Sequence, residues 1–217
     1  VGGVRFDFLQ RHSVGNAPYT YYVYQQLYDN DGKPIQNAFV DRDGNGVIND
    51  KDRYMAVTAD GKAIKPAPDF FYGITFKTTW KNWDFGFNGH GSVGNWLFND
   101  AYASHSTTNA NINYNYIANF SRSVLRSGFH STNITAQSFS DMFLENASFF
   151  RMDDINLGYT FNWRKQKSTI RIALSAQNVF VLTKYSGIDP EASGENGFDS
   201  SLWPRPRVYS LRAAINF

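Results

Sequence analysis

The residues best suited to chemistry form one acidic segment that begins at Asp41 and ends at Asp52. The segment reads Asp-Arg-Asp-Gly-Asn-Gly-Val-Ile-Asn-Asp-Lys-Asp. It follows the twelve-residue calcium loop, which has oxygen ligands at positions 1, 3 and 5, glycine at position 6 and an acid at position 12. Hard oxygen ligands on a flexible loop suit Ca²⁺ better than Mg²⁺, so the pattern predicts a Ca²⁺ site. The predicted ligands are Asp41, Asp43, Asn45, Val47 through its carbonyl, Asn49 directly or through water, and Asp52.

The last ligand position departs from the general pattern. Asp52 stands where most calcium loops have Glu, and its shorter side chain makes bidentate coordination harder. Because Asp, Asn and Gly also favour surface turns, an Asx-rich turn without an ion is the alternative. No helical pattern flanks the segment, so the sequence predicts a structural staple within a loop and not a calcium sensor.

Catalytic motifs are absent from the sequence. The four histidines have no partner residues at ligand or catalytic spacing, and no nucleophile elbow, zinc-protease motif or phosphate loop occurs. The sequence therefore predicts that the chain is not an enzyme. The histidines are His12, His90, His105 and His130.

Seven segments alternate apolar and polar residues with a period of two, which predicts β-strands. Aromatic residues dominate their apolar sides, in keeping with 13 Tyr and 19 Phe among 217 residues. The predicted strands are residues 4–9, 19–28, 70–80, 83–93, a fifth strand that ends with 155–161, then 170–180 and 209–217.

The connections between these strands alternate between short turns and long loops at about 29–69, 94–148 and 181–207. This alternation predicts an all-β fold, a transmembrane antiparallel β-barrel. In such barrels the short turns are periplasmic and the long loops are extracellular. In six strands the charges share the polar side, and Arg or Lys on a lipid face would cost about 2–4 kcal/mol. These charges are Arg5, Asp7, Lys77, Asp84, Arg171 and Arg212.

The fifth strand breaks the charge pattern, because Arg151 and Asp153 share the parity of Ile155. Either these two charges lie beyond the hydrocarbon layer, or a β-bulge at Asp153–Asp154 resets the alternation. Aromatic residues at strand ends also predict an interfacial girdle at the periplasmic rim. They are Trp80, Trp83, Trp163 and Phe217.

Composition narrows the class of protein further. No run of eighteen apolar residues predicts a transmembrane helix, and no signal-peptide pattern begins at Val1. The net charge of +2 does not favour a nucleic-acid partner, and the absence of cysteine excludes a disulfide scaffold. Seven strands do not close a barrel alone, so we expect an incomplete barrel; a soluble sandwich is the alternative.

The loop at 101–140 is rich in Asn, Ser, Thr and Tyr, which suits sugar or peptide contacts, a partner surface or simple solvation.

Several blocks of the sequence together resemble the SusC/RagA family of TonB-dependent outer-membrane transporters. The resemblance extends over about residues 19–217. Its most specific parts are 39–53, 68–73, 145–151 leading into 155–159, 176–180, 183–191 and 203–207.

The resemblance implies a 22-stranded barrel with a plug domain, of which residues 1–217 form the C-terminal part, about the last seven strands, without the plug. It implies a Gram-negative outer-membrane importer of oligosaccharides or oligopeptides, energised through TonB. The implied partners are a SusD-like lipoprotein, the TonB complex, the remaining barrel and plug polypeptide, the lipid bilayer and the substrate. Phe217 resembles the family's assembly signal. A passive porin and a soluble calcium-binding β-sandwich adhesion module remain the rival interpretations.

Overall fold

The computed structural model describes residues 9–107, 121–130, 137–163, 168–191, 196–199 and 203–216. The chain divides into two compact units. The sheet unit comprises residues 68–94, 148–184 and 203–217, and the loop unit comprises residues 1–67, 95–147 and 185–202. The predicted strand 4–9 lies outside the described residues except for Leu9, and so do Phe217 and the Trp163 side chain.

Strands make up most of the regular structure in the described ranges. They are β1 (Gln10–Arg11), β2 (Thr20–Tyr24), β3 (Gln26–Tyr28), β4 (Pro34–Phe39), β5 (Arg53–Met55), β6 (Phe70–Trp80), β7 (Trp83–Val93), β8 (Trp96–Phe98), β9 (Leu144–Asn146), β10 (Phe149–Trp163), β11 (Ser168–Thr183) and β12 (Val208–Asn216). The α-helices with described bounds are α1 (Asp100–Ser104) and α2 (Arg122–Ser127). Single 3₁₀ turns are formed by Asp50–Asp52, Gln137–Phe139 and Asp141–Phe143.

The sheet unit is one antiparallel sheet of five strands in the order β12-β11-β10-β7-β6. These are five of the seven strands that the alternation predicts, and the all-β fold class is confirmed. The alternation is strong in these segments because each strand presents one apolar and one polar side. Only two residues, Lys81 and Asn82, connect β6 to β7.

Strand register gathers the apolar residues onto one face of this sheet. One row of paired residues crosses all five strands through Phe76, Phe87, Ile155, Ala176 and Tyr209. The neighbouring row on the same face contains Thr78, Phe85, Leu157, Leu174 and Leu211. The intervening row lies on the opposite face and contains Lys77, Gly86, Asn156, Ser175 and Ser210. The predicted two-faced sheet is therefore present.

A β-bulge interrupts β10, and this decides between the two interpretations of the fifth strand. The register against β7 shifts between Met152 and Asp154, so Asp153 is the extra residue. Arg151 then pairs with His90, on the polar face of β7. The bulge interpretation is correct. Because one residue is inserted, Arg151 in the part of β10 before the bulge lies on the polar side of the sheet.

The loop unit contains small sheets, β1-β2-β5, β3-β4 and β8-β9, around its own hydrophobic core. Here the structure differs from the predicted strand 19–28, which is divided into β2 and β3 and lies outside the five-stranded sheet. Tyr21 and Val23 are fully buried, and their neighbours in β2 are buried or half-buried too. Burial on both sides explains the weak alternation of this segment. The core residues are Leu9, Tyr21, Val23, Ala56, Ile64, Phe98, Tyr102, Ala103, Phe143, Leu144 and Phe198.

Candidate functional site

The acidic segment folds so that three of its carboxylates converge. Asp41, Asp43 and Asp52 each offer an oxygen, and these oxygens all lie within 4.8 Å of one another. Asp43 is exposed, whereas Asp52 is fully buried. A donor set made only of oxygens is what a hard divalent cation requires, so these residues fit Ca²⁺.

Backbone amides hold the first carboxylate of the loop in place. Asp41 accepts hydrogen bonds from the backbone N–H groups of Gly44 at 2.8 Å and Gly46 at 2.7 Å. Both glycines have positive φ, at 70° and 77°, a conformation that side chains with a Cβ rarely adopt. The two glycines therefore allow the tight turn that wraps the backbone around Asp41.

The last predicted ligand closes the loop from the other end. The Asp52 carboxylate accepts hydrogen bonds from the backbone N–H groups of Asn49 at 2.7 Å and Arg42 at 2.9 Å. These hydrogen bonds, chiefly that from Asn49, hold the pKa of Asp52 below its usual range, because they stabilise the charged form. Asp52 thus joins both ends of the segment as a buried carboxylate.

The predicted ligands in the middle of the segment, Asn45, Val47 and Asn49, form hydrogen bonds within the loop. The Asn45 amide donates to Asp43 at 2.8 Å, and the Asn49 amide donates to the carbonyl of Val47 at 3.0 Å. The Asn49 side-chain oxygen caps the 3₁₀ turn by accepting from Lys51 N–H at 3.0 Å. The structure thus brings the three carboxylates together, and the remaining predicted ligands lie in the same short loop.

Two arginines beside these carboxylates attach the loop to aromatic rings. The Arg42 guanidinium lies 4.3 Å from the ring centre of Tyr54. Arg53 lies over two rings, 5.1 Å from that of Tyr24 and 4.7 Å from that of Phe139. Cation–π contacts of this kind are worth about 0.5–1 kcal/mol when exposed and more when desolvated. The loop is therefore anchored to the body of the loop unit.

A buried polar network next to this anchor was not apparent from the sequence. Gln26, Gln137 and Ser140 are buried, and both Gln137 Nε2 and Ser140 Oγ donate to Gln26 Oε1, at 2.7 and 2.9 Å. Asp141 accepts from Gln26 N–H at 2.9 Å and from the Tyr54 hydroxyl at 2.7 Å. Burial raises the pKa of Asp141, and these two hydrogen bonds oppose that rise. The partners are more than 80 residues apart in sequence, so no local motif reveals them.

The apolar face of the sheet unit is a second candidate surface. Its large side chains are exposed: Leu174 retains 57% of its accessible surface and Leu211 retains 73%. Contiguous apolar surface of this extent marks contact with a membrane or another protein. Within the part of the chain that the structure describes, no helix is both long enough and apolar enough to cross a membrane.

An ion pair on the opposite face spans three strands. Arg171 on β11 donates to Asp84 on β7, with its Nε 2.9 Å and its Nη2 2.5 Å from the carboxylate oxygens. Gly158 on β10 lies between them, and a Cβ at this position would meet both Asp84 and Arg171. The absence of a side chain at Gly158 therefore permits this bidentate pair.

The histidines are placed in different surroundings. His90 Nδ1 lies 2.7 Å from Asp153 at the bulge, a partner that is 63 residues away in sequence. His105 Nδ1 lies 2.9 Å from the carbonyl of Ala101. His12 packs edge-on against Tyr19, and the backbone N–H of His130 donates to Gln36 at 2.9 Å.

Known proteins provide an independent comparison. No protein-family model matches the chain. Over 216 residues, 96% of the chain, the sequence is 37% identical to the TonB-dependent receptor SusC of Bacteroides thetaiotaomicron. The chain is a homologue of the TonB-dependent receptor SusC. It is also 26% identical over 202 residues to a TonB-dependent receptor of Formosa agariphila. These relatives are receptors and transporters, and not enzymes.

The chain spans about a fifth of the length of these two relatives, 20% and 19% respectively. Solved structures of the RagAB peptide importer share the fold. The closed-closed state superposes with a TM-score of 0.58 at 22% identity, over 90% of this chain and 22% of that one. The open-open state gives 0.54 at 18% identity. SusC/RagA-like TonB-dependent receptors are outer-membrane β-barrel proteins.

Proposed function

We propose that this chain is part of an outer-membrane active importer of oligosaccharides or oligopeptides. The observation that carries the proposal is a sheet with one exposed aromatic and aliphatic face, in a homologue of SusC-type receptors. A membrane explains such a face, because lipid makes exposure of Leu and Phe favourable and exposure of Arg unfavourable. In the intact protein, residues 1–217 form part of the barrel, and the plug domain lies outside this chain.

The two edge strands, β6 and β12, pair with further strands of the same barrel in this proposal. Both are exposed along their whole length. In lipid, each unpaired N–H or C=O group would cost several kcal/mol, so an open edge is not tolerated. Residues 29–67, 95–147 and 185–202 of the loop unit belong to the long extracellular loops in this proposal, and the turn at Lys81–Asn82 faces the periplasm.

The proposed partners are a SusD-like surface lipoprotein and the TonB complex. Homology to SusC and structural likeness to RagAB support both. The TonB contact belongs to parts of the protein outside this chain. Import is then driven by the inner-membrane proton gradient and not by diffusion down the substrate gradient.

Uptake by cells that carry the full-length protein tests this function. We expect labelled oligosaccharides or oligopeptides to accumulate, and we expect accumulation to stop when a protonophore collapses the gradient or when the tonB gene is deleted. A strain lacking the transporter is the control. Uptake that continues without the gradient would indicate a passive porin.

We also propose that the segment 41–52 binds Ca²⁺ as a structural staple of its loop. Asp41, Asp43, Asn45, Val47, Asn49 and Asp52 would hold the ion. The converging carboxylates of Asp41, Asp43 and Asp52 support this assignment. The ion would neutralise their mutual repulsion and stiffen the loop.

Calorimetry on the full-length protein tests the calcium site. We expect calcium uptake that the double substitution Asp41→Ala and Asp43→Ala abolishes. The matched control is Asp31→Ala with Asp60→Ala, which removes two carboxylates from turns outside the segment. Calcium uptake unchanged by the first pair would contradict the site.

A further inference from the structure

A cavity of about 380 Å³ lies within the loop unit, at the edge of α1. Its volume is within the range of small-molecule sites, which is roughly 300–1,000 Å³. α1, the beginning of α2 and the segment Ser186–Ile188 form its walls. The lining residues that matter are Asn99, Tyr102, His105, Ser121, Ser123 and Ser186.

Two charged groups beside this cavity, Arg126 and Glu145, neutralise one another. The Ser186 hydroxyl lies between Arg126 and Glu145, 2.6 Å from the Arg126 Nη1 and 2.7 Å from the Glu145 Oε1. The backbone N–H of Ser186 donates to Glu145 Oε2 at 2.8 Å, and Asn99 donates to Oε1 at 3.2 Å. The part of the wall at Ser186 therefore presents polar groups without a net charge, which favours an uncharged ligand there.

The imidazole of His105 offers an acceptor to this cavity. Its Nδ1 lies 2.9 Å from the carbonyl oxygen of Ala101, and a carbonyl can only accept a hydrogen bond. Nδ1 therefore carries the proton, and in the neutral ring Nε2 is an acceptor for a ligand hydroxyl. The side chain is exposed, so a ligand can reach it.

Polar side chains at the beginnings of α1 and α2 are fixed by helix capping. Ser121 caps α2 by accepting from Ser123 N–H at 3.2 Å, and its hydroxyl donates to that of Ser123 at 3.0 Å. Asn99 caps α1 by accepting from Tyr102 N–H at 2.9 Å. Groups held in this way lose little freedom on binding, which lowers the entropic cost of recognition.

The walls are less suited to a peptide. Extended peptides are held by main-chain hydrogen bonds to a strand edge, or by charged groups at their termini. Among the residues that the structure describes, the lining belongs to helical turns and a loop and to none of the strands, and Arg126 and Glu145 beside it are paired with one another. Donors and acceptors in close alternation instead match the hydroxyl groups of a sugar ring.

We propose that this cavity is a binding subsite for one or two sugar rings of a neutral oligosaccharide. The proposal rests on the importer function proposed above and assigns the carbohydrate class to this chain. Ligand hydroxyls donate to His105 Nε2 and exchange hydrogen bonds with Ser121 and Ser123.

Binding to the full-length protein in detergent tests the subsite. The probes are neutral hexasaccharides of glucose, xylose and mannose, each compared with neutral and charged peptides of matched mass. We expect at least one hexasaccharide to bind, and His105→Phe to weaken its affinity by about tenfold, because the acceptor is lost while the ring volume is kept. His130→Phe is the control, since it makes the same change outside the cavity lining.

A second variant keeps the test independent of His105. We expect Ser123→Ala, in the α2 part of the lining, to weaken hexasaccharide binding severalfold without changing peptide binding. Failure of every hexasaccharide to bind, preferential binding of peptides, or equal effects of His105→Phe and His130→Phe would each overturn the subsite. Gradient-dependent uptake of peptides would leave the importer function standing while this proposal fell.

Discussion

The two units of this chain differ in which side chains they expose and which they bury. The sheet unit exposes large hydrophobic residues such as Leu174 and Leu211 on one face and pairs Asp84 with Arg171 on the other. The loop unit buries its hydrophobic residues, and with them a network of amides and hydroxyls around Gln26. The difference indicates two solvents: water surrounds the loop unit, whereas the apolar face of the sheet requires a nonaqueous neighbour.

The largest expected effect comes from placing a charge on the apolar face. We expect Leu174→Arg to cost about 2–4 kcal/mol and to prevent stable assembly in the membrane. Ser175→Arg is the matched control, since the adjacent residue lies on the polar face. The measurement is the amount of heat-modifiable protein in outer-membrane fractions. If both variants reduced the amount of heat-modifiable protein equally, the claim that only one face of the sheet contacts lipid would be contradicted.

Gly158→Ala tests the polar face of the same sheet. The added Cβ would meet both partners of the ion pair, so we expect a loss of about 1–3 kcal/mol. Gly73→Ala is the control, because its nearest neighbour would be a backbone oxygen of Gly89 at 3.9 Å. Urea unfolding in lipid vesicles measures both. If the two variants unfolded alike, Gly158 would have no special role.

A smaller effect is expected from the buried network of the loop unit. Gln137→Ala leaves the backbone N–H of Asn37 without the Gln137 oxygen, which accepts from it at 2.8 Å. The buried Gln26 also loses the hydrogen bond that Gln137 Nε2 donates to its Oε1 at 2.7 Å. The loss of a buried hydrogen-bond partner costs about 1–2 kcal/mol, so hydrogen exchange of the β3-β4 hairpin should accelerate. Gln177→Ala, at an exposed position of the sheet, should leave that exchange unchanged.

The smallest expected effect is the pH dependence that Asp141 gives to the same hairpin. Burial raises its pKa above the ordinary value of 3.8, so the folded state favours the protonated carboxyl. Its stabilising contribution is complete below pH 3.8 and is lost as the pH rises through the raised pKa. After correction for intrinsic exchange rates, hairpin protection should fall over this range. Asp141→Asn should flatten the profile, and an unchanged slope would contradict the assignment.

The sequence predicted some parts of this molecule far better than others. The strands of the sheet unit were predictable because each follows a period of two, and the carboxylates of 41–52 were predictable because they are neighbours in sequence. The bulge at Asp153 needed the pairing of β7 and β10 to be recognised. The segment 19–28 was wrongly predicted as one strand, because β2 is buried on both sides and its alternation of apolar and polar residues is therefore weak. The contact between Gln26 and Gln137 joins residues 111 positions apart, which no local pattern encodes.

The central claim is that the sheet separates lipid from water, and spin labels along β11 test it most directly. The chain has no cysteine, so single cysteines at positions 170–177 can be labelled in the full-length protein in lipid vesicles, with any cysteine elsewhere replaced. We predict a period of two: labels at even positions collide with oxygen dissolved in lipid, and labels at odd positions collide with a water-soluble nickel complex. Uniform access of the nickel complex to all eight positions would contradict the account.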